Sequence, residues 1–249
     1  MDFRTALISE TAAFGELIRN ADPSTEVPTC PGWTFKQLFR HVGRGTRWSA
    51  QIIAYRQQEP LDPRDVRDGK PPEDPDAAID WLNAGAQAVI DAVDRVGSDA
   101  RVWTFLGTKP AGWWIRRRVH EVIVHRADAA LALGIPFELD PELAADGVTE
   151  TIERVILTSS RQDPPLVPGA SLHLHAAEAE LGPTGEWMLV NDEDGLGWSH
   201  THGKGDAAVR GPVTGLLLAL NRRLSTAAAG LDVIGDESVW HRWLDHSAF

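Results

Sequence analysis

The chain has 249 residues, with 24 Lys+Arg against 36 Asp+Glu and a formal net charge of −12. Hydrophobic residues make up 43% and charged residues 24%, the proportions of an ordinary globular chain, and the acidic balance argues against a general nucleic-acid binder or a protein drawn to anionic membranes. A single cysteine, Cys30, excludes an internal disulfide framework and a multi-cysteine metal site. The longest apolar runs, such as Leu216 to Leu220, fall far short of the ~20 residues of a membrane span. The first residues show no basic-then-apolar leader pattern, so the expected location is cytoplasmic.

Four long helices are expected first. Phe3, Leu7, Ala13, Phe14, Leu17 and Ile18 give residues 3–20 a buried face. A turn-rich loop follows, through Asp22-Pro23-Ser24 and Pro28-Thr29-Cys30-Pro31-Gly32. Thr34 and Gln37 form a Thr-x-x-Gln capping box that opens a second helix, running to about Gln57. Residues 59–75 carry five prolines and read as irregular, a surface loop or a lid. Asp74-Pro75 then reads as cap and first turn of a helix over 76–96. A fourth helix over 111–134 ends at Gly134, the place of a glycine C-cap. After about residue 140 the pattern changes. A helix is expected from Asp140 to Ser160, strands at 171–178, 186–191, 195–199 and 206–209, an apolar helix from Pro212 to Arg223, and a short last helix capped by Asp236. The expected fold is therefore α+β overall: a four-helix bundle over residues 1–138, followed by a smaller α+β domain over 139–249.

The sharpest chemical signal is Glu121-x-x-x-His125. A helix puts these two on one face, one turn apart, where a carboxylate and an imidazole can share a divalent ion. Such pairs are common on surfaces, but Val119, Val122 and Ile123 make this helix apolar nearby. His41 shares a face with Leu38, Gly45, Trp48 and Ile52, either as a hydrogen-bonded core histidine or as a third ligand. Asp128 either takes the second N–H of His125 or sits in a surface salt bridge. His120 points away and is read as a non-ligand. The pairs His173-x-His175 and His200-x-His202 are read as exposed strand histidines with no carboxylate at strand spacing. Cys30 is read as structural. Arg222 and Arg223 either complement a helix C-terminus or clamp an anion. Trp103, Trp113 and Trp114, around the start of the fourth helix, read as core or as the wall of an apolar pocket.

Together, Thr29-Cys30-Pro31-Gly32-Trp33-Thr34, His41, and Arg118-x-x-Glu121-x-x-x-His125-Arg126-x-Asp128 resemble the maleylpyruvate isomerase family of mycothiol-dependent enzymes, within the DinB-like superfamily of metal-binding four-helix bundles. The helix Gly215 to Arg222 and the stretch Leu231 to Asp236 resemble that family's C-terminal domain. The resemblance implies that His41, Glu121 and His125 bind Zn²⁺ or another divalent metal, with mycothiol as thiol cosubstrate. The thiol would bind the open metal position as thiolate and attack an electrophilic small molecule, in an isomerisation or an S-transfer. It also implies that Arg222 holds a carboxylate or developing negative charge, although Asn221 stands before it where the family pattern has glycine. Expected partners are the small-molecule substrate and the thiol, with neither nucleic acid nor membrane, in a monomer or weak dimer. Two other readings use the same ligands: a metal-dependent hydrolase, and a non-catalytic metal-supported binding protein.

Overall fold

The computed structural model describes residues 1–160 and 162–247. The chain divides into two compact units, Met1–Phe137 and Glu138–Phe249. No described helix is long and apolar enough to cross a membrane.

The first unit is a four-helix bundle of α1 (Phe3–Ile18), α2 (Phe35–Ala54), α3 (Pro75–Val96) and α4 (Trp113–Leu133). Local signals mark several of the helix ends. The Asp2 carboxylate accepts from the Arg4 and Thr5 amides, and Asp74 accepts from the Ala77 amide ahead of Pro75. The Thr34 N–H donates to Gln37 Oε1 at 2.9 Å, one arm of the capping box. Gly134 closes α4 in the left-handed conformation, φ 65°. α1 packs on α3 and α4, and α2 on α3 and α4, around Leu7, Phe14, Leu38, Ile52, Leu82 and Ile123, all fully buried. α2 and α3 approach so closely at Gly43 that a Cβ there would lie 2.0 Å from the Trp81 ring.

The proline-rich stretch between α2 and α3 is irregular, as its prolines dictate, and it is tied down. The Trp48 indole N–H donates to the Leu61 carbonyl and the Trp81 indole N–H to that of Asp68, both at 2.7 Å. Arg44 donates to the Gly69 carbonyl at 3.0 Å, and Val66 is buried. A two-residue ladder, β1 (Arg101–Val102) with β2 (Lys109–Pro110), precedes α4. It is too short for any hydrophobic alternation to announce it.

The second unit holds α5 (Pro141–Thr158), capped by Asp140, and a five-stranded sheet. Its strands are β3 (Ser171–Ala176), β4 (Glu186–Asp192), β5 (Gly195–Ser199), β6 (Ala207–Gly211) and β7 (Asp232–Gly235), in spatial order β5-β4-β3-β6-β7. All neighbours are antiparallel except β3 with β6. The loop Glu193-Asp194 joins β4 to β5, with Gly195 at φ 104°. Helices α6 (Val213–Leu220) and α7 (Glu237–His246) complete the unit, and Asp236 caps α7 by accepting from the Ser238 amide.

Two expectations are corrected, and one strand is added. The apolar helix stops at Leu220, not Arg223: the buried Asn221 side chain donates to the Leu217 carbonyl and to Thr151 Oγ1, and Arg222 turns left-handed at φ 61°. Residues 232–235 form an edge strand that the sequence did not announce, four residues long with Asp and Gly at its ends. The histidine pairs are not two exposed strand pairs. His173 is buried, Glu186 stands opposite His175 across β3 and β4, and β5 ends at Ser199, before His200 and His202.

Candidate metal centre

α4 departs from an amphipathic helix. Its buried set includes Trp114, Val119, Val122 and Ile123, but also Arg117, Arg118, His120, His125 and Asp128. Charge taken out of water must be paired, and the pairing in α4 organises the site. Glu121 and His125, one turn apart, face His41 from α2. The three candidate ligand atoms lie within 4.8 Å of one another. His41 Nε2 is 3.0 Å and His125 Nε2 3.5 Å from Glu121 Oε1. The His41 and His125 rings meet edge to face with centroids 4.8 Å apart, and the Trp33 indole covers both, at 4.8 and 6.2 Å. His41 is the exposed member, with 40% of its side chain accessible against 8% for His125.

Asp128 takes the other nitrogen of His125. Its Oδ2 lies 2.8 Å from Nδ1, and the carboxylate is fully buried. Thr29 donates to Asp128 Oδ1 at 2.6 Å and the Cys30 thiol to Oδ2 at 3.3 Å. Of the two readings of Asp128, the surface salt bridge is excluded. The turn at 29–34 therefore anchors a carboxylate, the carboxylate orients an imidazole, and Nε2 is left facing Glu121, the arrangement typical of metal-ligating histidines. Cys30, His125 and Asp128 also lie within 4.8 Å of one another, but Asp128 engages Nδ1, the side of the ring away from the Glu121 contact. His120 is buried with its ring edge-on to Phe3 at 6.3 Å and is not a member of the His41, Glu121, His125 group.

The electrostatics keep Glu121 anionic. Burial works against ionisation of Glu121, but Arg117 and Arg118, with hydrogen bonds to His125 and His41, hold it well below the usual carboxylate range. Arg117 pairs with Oε2, and Arg118 Nη2 is 3.4 Å from Oε1. Burial lowers the His41 pKa despite the Glu121 contact, leaving it a neutral donor. Burial also opposes charge on His125, yet Asp128, Cys30 and Glu121 outweigh it and lift that ring to about 10. Two imidazole nitrogens and one carboxylate oxygen converge, one imidazole fixed from behind and another partly open to solvent. That donor set fits Zn²⁺ or a similar ion with a coordination position left over.

Sequence reasoning did not find the partners of Glu121. The four-residue spacing Arg117 to Glu121 was the available signal, since such pairs meet on one helix face. Gly45 contributes from α2: a Cβ there would lie 2.8 Å from Arg118 Nη1, so the missing side chain makes room for the guanidinium.

Arg222, in the second unit, is exposed. Its Nη1 lies 3.4 Å from Asp245 Oδ1, a loose contact. The residue before it, Asn221, has φ −88°, which any residue adopts, so the absence of glycine there carries no strain. The left-handed residue is Arg222 itself.

Known proteins share this organisation. A family model described as the mycothiol maleylpyruvate isomerase N-terminal domain matches residues 4–130, and one described as the MDMPI C-terminal domain matches residues 142–242. An uncharacterised protein of Mycobacterium tuberculosis strain H37Rv is 29% identical over 141 residues, covering 54% of this chain and 69% of that one, and an uncharacterised protein of strain CDC 1551 matches to the same extent. In fold, the chain is similar to crystal structures of the mycothiol-dependent maleylpyruvate isomerase. A histidine-to-alanine mutant of that enzyme superposes with a TM-score of 0.62 at 17% identity, covering 93% of this chain and 91% of that one. A second crystal structure of the enzyme gives 0.60 at 18% identity, covering 90% and 89%. With the two family domains spanning most of its length, the chain belongs to the mycothiol maleylpyruvate isomerase family of enzymes.

Proposed function

We propose that this protein is a zinc-dependent enzyme that activates a low-molecular-weight thiol, mycothiol by family, for isomerisation of or transfer to a small electrophilic substrate. The observation that carries the proposal is the convergence of His41, Glu121 and His125 on one point, with His125 oriented from behind by Asp128. These three residues would hold a zinc ion, and the chemistry it would supply there is the lowering of a thiol's pKa. The protein's own groups do the rest. Asp128 keeps the His125 tautomer with Nε2 toward the site. Arg117 and Arg118 favour the anionic form of Glu121. Trp33 packs its indole against both imidazoles, leaving His41 partly open to solvent. Arg222 is assigned to hold a substrate carboxylate or the negative charge that develops on it. Its exposure and its loose contact with Asp245 leave the guanidinium available for a ligand.

The test is elemental mass spectrometry on tag-free protein, with wild type, His41→Ala, Glu121→Ala and His125→Ala side by side. Each substitution is expected to remove one equivalent of metal while the helical content survives. Retention of full metal by any variant removes that residue from the ligand set. Turnover that requires mycothiol separates this reading from hydrolysis on the same bundle.

A further inference from the structure

The second unit gathers another set of ligating side chains, unconnected with the chemistry above. β3 presents His173 and His175 on one face of the sheet. Across the antiparallel pairing with β4, Met188 lies opposite His173 and Glu186 opposite His175. The segment after β5 brings in His202. The Glu186 carboxylate then has three imidazoles around it: His173 Nε2 at 2.5 Å from Oε2, His175 Nδ1 at 3.0 Å from Oε1, and His202 Nδ1 at 3.0 Å from Oε1. The rings of His173, His175 and His202 stand 5.3 to 6.2 Å apart, edge to face. One ligand atom from each of the four residues lies within 4.8 Å of all the others.

The segment that delivers His202 is shaped for close approach. A Cβ on Gly203 would lie 2.7 Å from the Met188 methyl, and one on Gly205 would lie 2.7 Å from the Ala207 carbonyl oxygen and 3.0 Å from the His173 amide nitrogen. Glycine at both places lets residues 200–205 lie flat against the sheet. Both ends of the segment are fixed: His200 Nδ1 is 2.7 Å from the Glu186 carbonyl oxygen, and the Asp206 amide donates to Ser171 Oγ at 3.0 Å. In the middle, His202 reaches Glu186 with a side chain 76% exposed, against 15% for Glu186 and 5% for His173. Arg210, opposite His175 on β6, is exposed, so its charge is largely screened by water.

We propose that His173, His175, Glu186 and His202 form a second metal site, for Zn²⁺ or a neighbouring divalent transition metal, which staples residues 200–205 to the β3–β4 face. Three imidazole nitrogens and one carboxylate oxygen are a borderline donor set of the kind such ions take, and four protein donors make a closed, structural site. The site lies wholly within the second unit and stands or falls independently of the bundle site.

The test titrates metal-stripped, tag-free, full-length His125→Ala protein with Co²⁺, followed by its visible absorption, and with Zn²⁺ in competition with a chromophoric chelator. The expected result is one equivalent bound. Adding His202→Ala or Glu186→Gln is expected to weaken binding by at least the roughly 10- to 100-fold that loss of an outer-sphere partner alone costs. The exposure of His202 makes its removal compatible with the fold, and circular dichroism verifies that. Absence of the equivalent, or unchanged affinity in both double variants, overturns the proposal. A wild type that binds no more metal than His125→Ala counts against the bundle site and leaves this one untouched.

Discussion

Asp128→Asn tests the logic of the bundle site with almost no change in shape. In the native protein the carboxylate accepts from Thr29 and Cys30 and pairs with Nδ1 of His125. An asparagine keeps an oxygen for Thr29 but turns an N–H donor toward the imidazole. Once it has lost a proton, as ligation requires, the ring then takes the other tautomer, with Nδ1 as acceptor and the remaining proton on Nε2. That is the nitrogen 3.5 Å from Glu121 Oε1, the one required as a metal ligand. Metal affinity should therefore fall by about 10- to 100-fold, the usual consequence of losing a ligand's outer-sphere partner, or about 1.4 to 2.7 kcal/mol. The assay is a zinc competition titration in a His202→Ala background, in which the second-unit site is weakened by at least about 10- to 100-fold and its binding step is separated from that of the bundle site. A Kd within twofold of the parent, with the helical content intact, would refute the role given to Asp128.

Three further outcomes follow from the same geometry. Because His125 is lifted to about 10 in the metal-free protein, it is an imidazolium at neutral pH and must lose its proton to ligate. Metal binding at pH 7 should release one proton, and affinity should rise about tenfold per pH unit until the pH approaches that value; calorimetry in buffers of different ionisation enthalpy that detects no proton release contradicts the charge state. Gly43→Ala places a Cβ 2.0 Å from the ring of Trp81, which cannot retreat because it is buried and carries Arg47 stacked 4.2 Å from its centroid; overpacking of this kind costs about 1 to 3 kcal/mol, and an unchanged melting temperature shows that α2 and α3 are less close than described. Arg222→Gly relieves a left-handed backbone and removes a guanidinium, so thermal stability and metal content should hold while turnover falls; unchanged turnover returns Arg222 to a helix-end role.

The bundle was legible because its signals are local. The Thr34-x-x-Gln37 capping box and Asp74-Pro75 each announce a helix start, Gly134 announces a stop, and the apolar spacing supplies the faces between. Glu121 and His125 were legible for the same reason: one helix turn joins them. What brings them to His41 is the packing of α2 on α4, which the shared face of Leu38, His41 and Ile52 indicated only as a direction.

The sheet shows where local reading stops. Glu186 lies eleven residues after His175 in sequence and directly opposite it in space. Only the antiparallel register makes them neighbours, and each strand's own alternation fixes the face a residue takes, not which same-face residue of the partner strand it meets. His202 is further removed still, since it belongs to no strand and reaches Glu186 because Gly203 and Gly205 let the chain lie against β4 and β3. A search for His-x-His on a strand finds half of such a cluster, grades it by the carboxylates within its own segment, and so discards it. The carboxylate that completes the donor set is supplied by the neighbouring strand. Paired histidines on a predicted strand should accordingly be weighed against the acidic residues of every strand that could lie beside them, and the Glu186 substitution decides whether that rule holds in this protein.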